Sequence, residues 1–236
     1  MHNNVLAAAV LGLFVAVGLV LGGSYLNSAA VSWKSADRTV TVKGLAERQV
    51  PADLALWPLH FTVTGNDLNS VQRQVDTQAA VIRAFLRDAG FDAQEVSLTS
   101  PQVTDQYANN YGNQRPEDRY SAEATVLVRT AKISAVKNAM PRVGSLIAQG
   151  VLLSPNYNYR TEFLFTGLEA IKPDMIAAAT ADARAAARQF AEDSGSDVGQ
   201  IRSATQGYFS IEDLDSYTPD VKKVRVVTTI DYALDD

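Results

Sequence analysis

Of the two histidines in this 236-residue chain, only His60 lies beyond the extreme N-terminus. A Ser–His–Asp relay would have to use it as the base. It stands in LALWPLHFTVTG, where Ala55, Trp57, Leu59, Phe61 and Val63 alternate with Leu54, Leu56, Pro58, His60, Thr62 and Thr64. That period of two describes a half-buried strand. On the more polar face, beside Pro58 and Thr62, His60 reads as a surface or loop-contacting side chain rather than a catalytic base. Cysteine is absent, which excludes disulfides, thiolate metal sites and thiol nucleophiles. A zinc site would need several carboxylates in place of the missing Cys and His. The phosphate-cradling patterns GxGxxG and GxxxxGKS/T do not occur. Acid groups recur at Glu192 and Asp193, at Glu212, Asp213 and Asp215, and at Asp235 and Asp236. All fall in expected loops or helix ends and read as solvated surface. A weak calcium site within Glu212 to Asp220 would lack EF-hand spacing. No catalytic, cofactor-binding or metal-ligating residue is assigned, and no cofactor is expected.

Residues suited to binding are more numerous. Tyr107, Tyr111 and Tyr120 frame one loop, and Tyr157 and Tyr159 recur later. Tyrosine is broad and stiff and carries a polar tip, which suits interfaces. Arg184 and Arg188 lie four residues apart and could share an acidic partner. These seven form the candidate interface. The net charge of −5, with no Lys/Arg cluster, argues against nucleic acid as a partner. With no cysteine, and with methionine only at positions 1, 140 and 175, direct peroxide chemistry has no obvious residue to use.

The elements that must position these groups follow from pattern. Two extended segments over Thr39 to Gly65 are expected to join at Gly44 to Ala52, and Pro58 suggests an edge or a bulge. A helix capped by Asn66 or Asp67 should bury Leu68, Val71, Val75, Ile82, Phe85, Leu86 and Ala89, and close at Gly90. Glu95 to Ala108 and Arg119 to Thr130 read as strands around the loop Tyr107 to Asp118. Ile133 to Gln149 reads as a helix that Pro141 should kink or break. Val151 to Phe165 reads as extended. An alanine-rich helix then has Pro173 in its first turn, Gly195 at its end, and an inner stripe of Ile171, Met175, Ala179, Ala183, Ala187 and Phe190. Such short side chains allow close approach to a sheet. Gln200 to Ile211 and Val221 to Tyr232 complete the order β-β-α-β-β-α-β-α-β-β. The fold class is α+β, a mainly antiparallel sheet with helices packed on one side.

Val5 to Gly23 carries no charge and is just long enough to cross a hydrocarbon core. It reads as an uncleaved anchor or, with Ser28-Ala29-Ala30 as a cleavage site, as a signal segment. Residues 1–27 thus form the anchor or signal segment, 28–38 a linker, and 39–236 the folded domain. Lys34, Arg38 and Lys43 follow the apolar run and no Lys or Arg precedes it. Taken literally, the positive-inside rule puts the domain in the cytoplasm.

Three stretches resemble the bacterial SIMPL-domain family. VKGLAERQVPADLALWPLHF is similar to an opening strand pair of the form V-x-G-x-G/A … P-D-x-A, through Gly44, Ala46, Pro51, Asp53 and Ala55, with Ala52 as one extra residue. LRDAGFDAQEVSLTS is similar to the family's helix-to-strand step. DARAAARQFAEDSGSDVGQIRSATQGYFSIED is the most specific of the three. The resemblance implies a SIMPL-like α+β domain in an exported, periplasmic or envelope-associated protein, of a kind linked to oxidative-stress resistance or known as a surface immunogen. It also implies self-assembly, since some relatives form large ring- or channel-like oligomers, and it brings no accepted catalytic residues. The chain therefore reads as a non-enzymatic homo-oligomer held at a membrane through residues 5–23, with its domain in the periplasm, or as periplasmic after cleavage. Two alternatives stay open: a small-molecule binder or enzyme using a groove near His60 and Arg184, and a cytoplasm-facing adaptor.

Overall fold

The computed structural model describes residues 12, 16–20, 23, 38–108, 116–154 and 159–235. Along them run β1 (Thr39–Pro51), β2 (Leu54–Gly65), α1 (Leu68–Asp88), β3 (Val96–Leu98), β4 (Gln102–Asp105), β5 (Tyr120–Thr130), α2 (Ile133–Ala139), α3 (Gly144–Ala148), β6 (Glu162–Leu164), α4 (Leu168–Ser194), β7 (Asp197–Gln206), β8 (Ser210–Asp213) and β9 (Val221–Asp235). The fold is α+β with antiparallel sheets, as the patterning implies. The apolar run Val5 to Gly23 lies largely outside the described residues. Among the described residues no helix is long and apolar enough to cross a membrane.

The chain gathers into two compact units. The larger comprises Arg48–Ile171 and Ile211–Val224. Its five-stranded sheet has the order β3-β5-β2-β6, with β4 also paired to β5. β2 and β5 run antiparallel in unbroken register from Ala55↔Thr130 to Gly65↔Tyr120. The alternating residues Ala55, Trp57, Leu59, Phe61 and Val63 meet Ala122, Ala124, Val126 and Val128 in one core. α1 completes that core with Val71, Val75, Ala79, Ile82, Phe85 and Leu86. Asp67 caps the helix by accepting from the Ser70 N–H at 2.8 Å, and Gly90 follows its end at φ 92°, a left-handed conformation that side chains resist. Leu68, expected inside, is 49% exposed, because the first residue of the helix projects past the sheet-facing stripe.

Proline sets most of the breaks in this unit. The segment Glu95 to Ala108 is not one strand. A short 3-10 turn at Ala93–Glu95 leads into β3, and Pro101, which has no N–H for a ladder, separates β3 from β4. Pro141 breaks the expected helix into α2, a 3-10 turn at Met140–Arg142, and α3. Of the extended reading over Val151 to Phe165, the described residues show β6 and a single bridge from Leu153 to Phe61. Pro58 sits within β2 opposite Leu127. On the other flank of β2, Thr62 N–H donates to the Leu152 carbonyl and Ser154 N–H to the His60 carbonyl. By two-residue alternation the Pro58 nitrogen faces that same flank, between this stretch and the β6 pairing at Leu54–Leu56. A missing donor is tolerated there.

The smaller unit comprises Met1–Glu47, Lys172–Ser210 and Arg225–Asp236. Its sheet has the order β1-β9-β7. Val40, Val42, Ile230, Tyr232 and Leu234 pack on Ala183, Ala187 and Ala191 of α4. The expected turn at Gly44 is absent: β1 continues from Thr39 to Pro51. Gly44 has a different use. A Cβ there would lie 1.9 Å from the Ala179 carbonyl oxygen and 2.4 Å from the Ala183 nitrogen, so helix and strand backbones touch where both side chains are minimal. The buried stripe is Met175, Ala179, Ala183, Ala187 and Ala191. Phe190, expected within it, is 53% exposed, since strict four-residue steps carry the stripe to Ala191.

Candidate functional site

His60 belongs to the larger unit and is 6% exposed, so it is not the surface residue its polar strand face suggests. The register of β2 on β5 decides its neighbours. His60 lies opposite Thr125, and Thr62 opposite Glu123. The ring Nδ1 is 3.0 Å from the Thr125 hydroxyl, and Nε2 is 3.7 Å from a Glu123 carboxylate oxygen. Tyr159 lies flat over the imidazole, 3.9 Å between ring centroids and 10° between planes. The Thr62 hydroxyl is 2.8 Å from that of Ser154. Loop contact, the other half of the expectation, is therefore met through Tyr159 and Ser154.

This cluster has the composition of a hydroxyl–imidazole–carboxylate relay but not its geometry. The Thr125 side chain is buried in mid-strand, its residue 6% exposed, so its hydroxyl has no path to a substrate carbonyl. Removal from water lowers the His60 pKa, and the Glu123 carboxylate opposes that only in part. The imidazole is accordingly neutral at physiological pH and serves as an aromatic platform and hydrogen-bonding group.

Asp53 shows what the opening motif holds together. Its carboxylate accepts from the Thr166 N–H at 2.8 Å, the Thr166 hydroxyl at 3.1 Å and the Gly167 N–H at 2.9 Å. These donors immediately precede α4, and an acid there favours an early helix start. This accounts for another departure from pattern. The helix begins at Leu168, so Pro173 lies within it rather than in its first turn. The extra residue Ala52 fits without disturbing Asp53. It is buried, and its N–H donates to the Asp220 carbonyl at 2.8 Å, while the Asp53 N–H donates to Leu164 at 2.9 Å.

A family model named SIMPL, described as a protein of unknown function (DUF541), matches residues 40–228. The chain belongs to the SIMPL family. No curated protein compared with it matches.

In this SIMPL chain the tyrosines expected at an interface are divided. Tyr107 and Tyr120 flank a loop whose base is firmly tied. Arg119 reaches the Asp105 carboxylate through two nitrogens at 3.0 and 2.8 Å, and its guanidinium lies 4.9 Å from the centre of the Tyr120 ring. Asp118 accepts from Thr64 and Asn66 at 2.5 and 3.1 Å. Tyr107 and Tyr159 are about one-third exposed. Tyr111 and Tyr157 lie outside the described residues. Arg184 and Arg188 are exposed on α4 in the smaller unit, whereas His60 belongs to the larger one.

The acidic segment Glu212 to Asp220 is engaged by its own surroundings. Asp213 pairs with the buried Lys222, Asp215 accepts from the Tyr217 and Thr218 N–H groups at 2.7 and 2.8 Å, and Asp220 pairs with Lys137 at 2.7 Å. Among the described residues no group of three or more metal-competent side chains forms. Sequence reasoning missed the partners of His60. Thr125 and Glu123 lie on the face of β5 opposite its main-core residues, and only the strand register brings them to the ring.

Proposed function

We propose that this SIMPL chain is a non-enzymatic, self-associating scaffold or protective factor of the cell envelope. It is held at a membrane through residues 5–23, or exported after cleavage, with its domain on the periplasmic side. The observation that carries self-association is β7. It ends the sheet path β1-β9-β7, and eight of its ten residues are exposed. Its register shifts are confined to the stretch before Ser203, and from Ser203 to Gln206 it pairs regularly with Asp231 to Thr228. Bulges blunt an edge, but a regular stretch at the end of a sheet path is a template for another strand. Ile201 adds an exposed apolar side chain on the same strand.

The natural absence of cysteine makes a direct test simple. Single cysteines introduced at Ser203, Ala204 or Thr205 should yield a disulfide-linked dimer at one or more positions under mild oxidation. A cysteine at Gln189 on α4 should not. Failure of all three β7 positions, with the chain folded, would remove the edge from the account.

The cytoplasm-facing adaptor is the second reading, favoured by Lys34, Arg38 and Lys43 after the apolar run and by the absence of Lys or Arg before it. Alkaline phosphatase fused after the last residue separates the two. Activity supports the envelope reading, and an inactive but intact fusion supports the adaptor.

A further inference from the structure

Beside the C-terminal half of α1, Arg83, Arg87, Phe91, Ala93 and Val96 line a cavity of about 410 Å³, within the range of small-ligand sites. Its composition is divided. Arg83 and Arg87 stand on one face of α1, four residues apart. Phe91 is 4% exposed and forms an apolar floor, backed by Trp57 edge-on at 6.1 Å between centroids. Val96, at the start of β3, is half-buried.

The two guanidiniums are not taken up by their surroundings. Asp92 and Glu95, the carboxylates that follow the helix, are both held by Lys132, at 2.7 and 2.9 Å. The second oxygen of Glu95 accepts from the Thr130 hydroxyl at 2.5 Å. Arg83 and Arg87 have no ion-pair partner among the described residues. Two cations facing an apolar floor call for one chemistry. A carboxylate can be gripped by forked N–H donors while the hydrocarbon behind it covers the phenyl ring. Inorganic phosphate would satisfy the arginines and leave the floor wet, and a neutral alcohol would cover the floor and leave the arginines as they are.

We infer that this cavity is a binding site for small amphipathic carboxylates, with Arg83 and Arg87 gripping the head group and Phe91 and Val96 receiving the apolar part. The site is independent of self-association and adds a ligand to a protein otherwise read as a scaffold.

Trp57 supplies the readout through its contact with Phe91. In the full chain carrying Trp33→Phe and solubilised in a neutral maltoside detergent, Trp57 is the sole tryptophan. Titration with octanoate should give a saturable change in its emission, with octanol and phosphate each at least about tenfold weaker. Arg83→Gln with Arg87→Gln should weaken octanoate about tenfold or more and leave octanol unchanged. Ala93→Tyr, which puts a ring at the cavity wall, should abolish the response while circular dichroism stays that of the parent. Equal affinity for octanoate and octanol, or undiminished octanoate binding in the double variant, would overturn the proposal.

Discussion

His60 is neutral because burial disfavours its charged form, and that has a measurable consequence. Its pKa in the fold lies below the unfolded value of 6.5, so between the two values the unfolded chain binds more protons. The stabilisation is complete above about 6.5 and is lost as pH falls through that value toward the folded pKa. Glu95 occupies a lower window. Burial acts to raise its pKa, but hydrogen bonds from Thr130, the Asp92 N–H and Lys132 together bring it down to about 2. Its contribution is present above the unfolded value of 4.5 and fades as pH falls toward about 2. Thermal unfolding followed across pH should therefore show two separate declines. His60→Gln should flatten the upper one alone, and Glu95→Gln should reduce the lower one, to which Asp105, Asp215 and Asp220, also held below the usual carboxylate range, contribute. A single histidine on a polar strand face was visible in the sequence. Its burial was not, because the covering ring of Tyr159 comes from a segment about a hundred positions later and strand period carries no information about what crosses a face.

Elements follow the pattern where one local signal dominates. Asp67, the three- and four-residue apolar steps and Gly90 delimit α1 as their chemistry requires, because cap, stripe and stop are all local. Pro141 likewise breaks its helix. The joint expected at Gly44 fails for a physical reason: glycine signals either a turn or a close backbone approach, and only the tertiary partner decides which. Here the partner is α4. Gly44→Ala would place a methyl carbon against helix backbone at 1.9 and 2.4 Å, and backbone cannot step aside as a flexible side chain can. The variant should lose about 3 kcal/mol of stability in urea unfolding. Gly144→Ala makes the control. Its added carbon meets nothing within 4 Å, and it opens α3, so it should be neutral or slightly stabilising. Equal costs for the two would show that contact with α4 does not set the residue at position 44. Asp53 belongs to the same class. Its motif was legible, but its role in holding Thr166 and Gly167 needed the chain's return from more than a hundred residues away.

For the whole molecule, the α+β class was readable from adjacent strand pairs and one-faced helices, and the family from the order of three stretches. The edge on which the proposed self-association rests was not readable from local pattern, since an edge strand and a central strand share the same alternation. The fold places β7 at one end of its sheet path, regular from Ser203 to Gln206 and exposed along most of its length. The charge balance around residues 5–23 likewise says little of assembly. The measurement that bears most directly on the scaffold reading is the protein mass of the full chain by light scattering in detergent, beside the Ile201→Lys variant, since a charge on a free edge opposes strand pairing. A self-associating scaffold predicts one discrete oligomer for the parent and a smaller species for the variant. A parent that remains monomeric across the concentration range would contradict it.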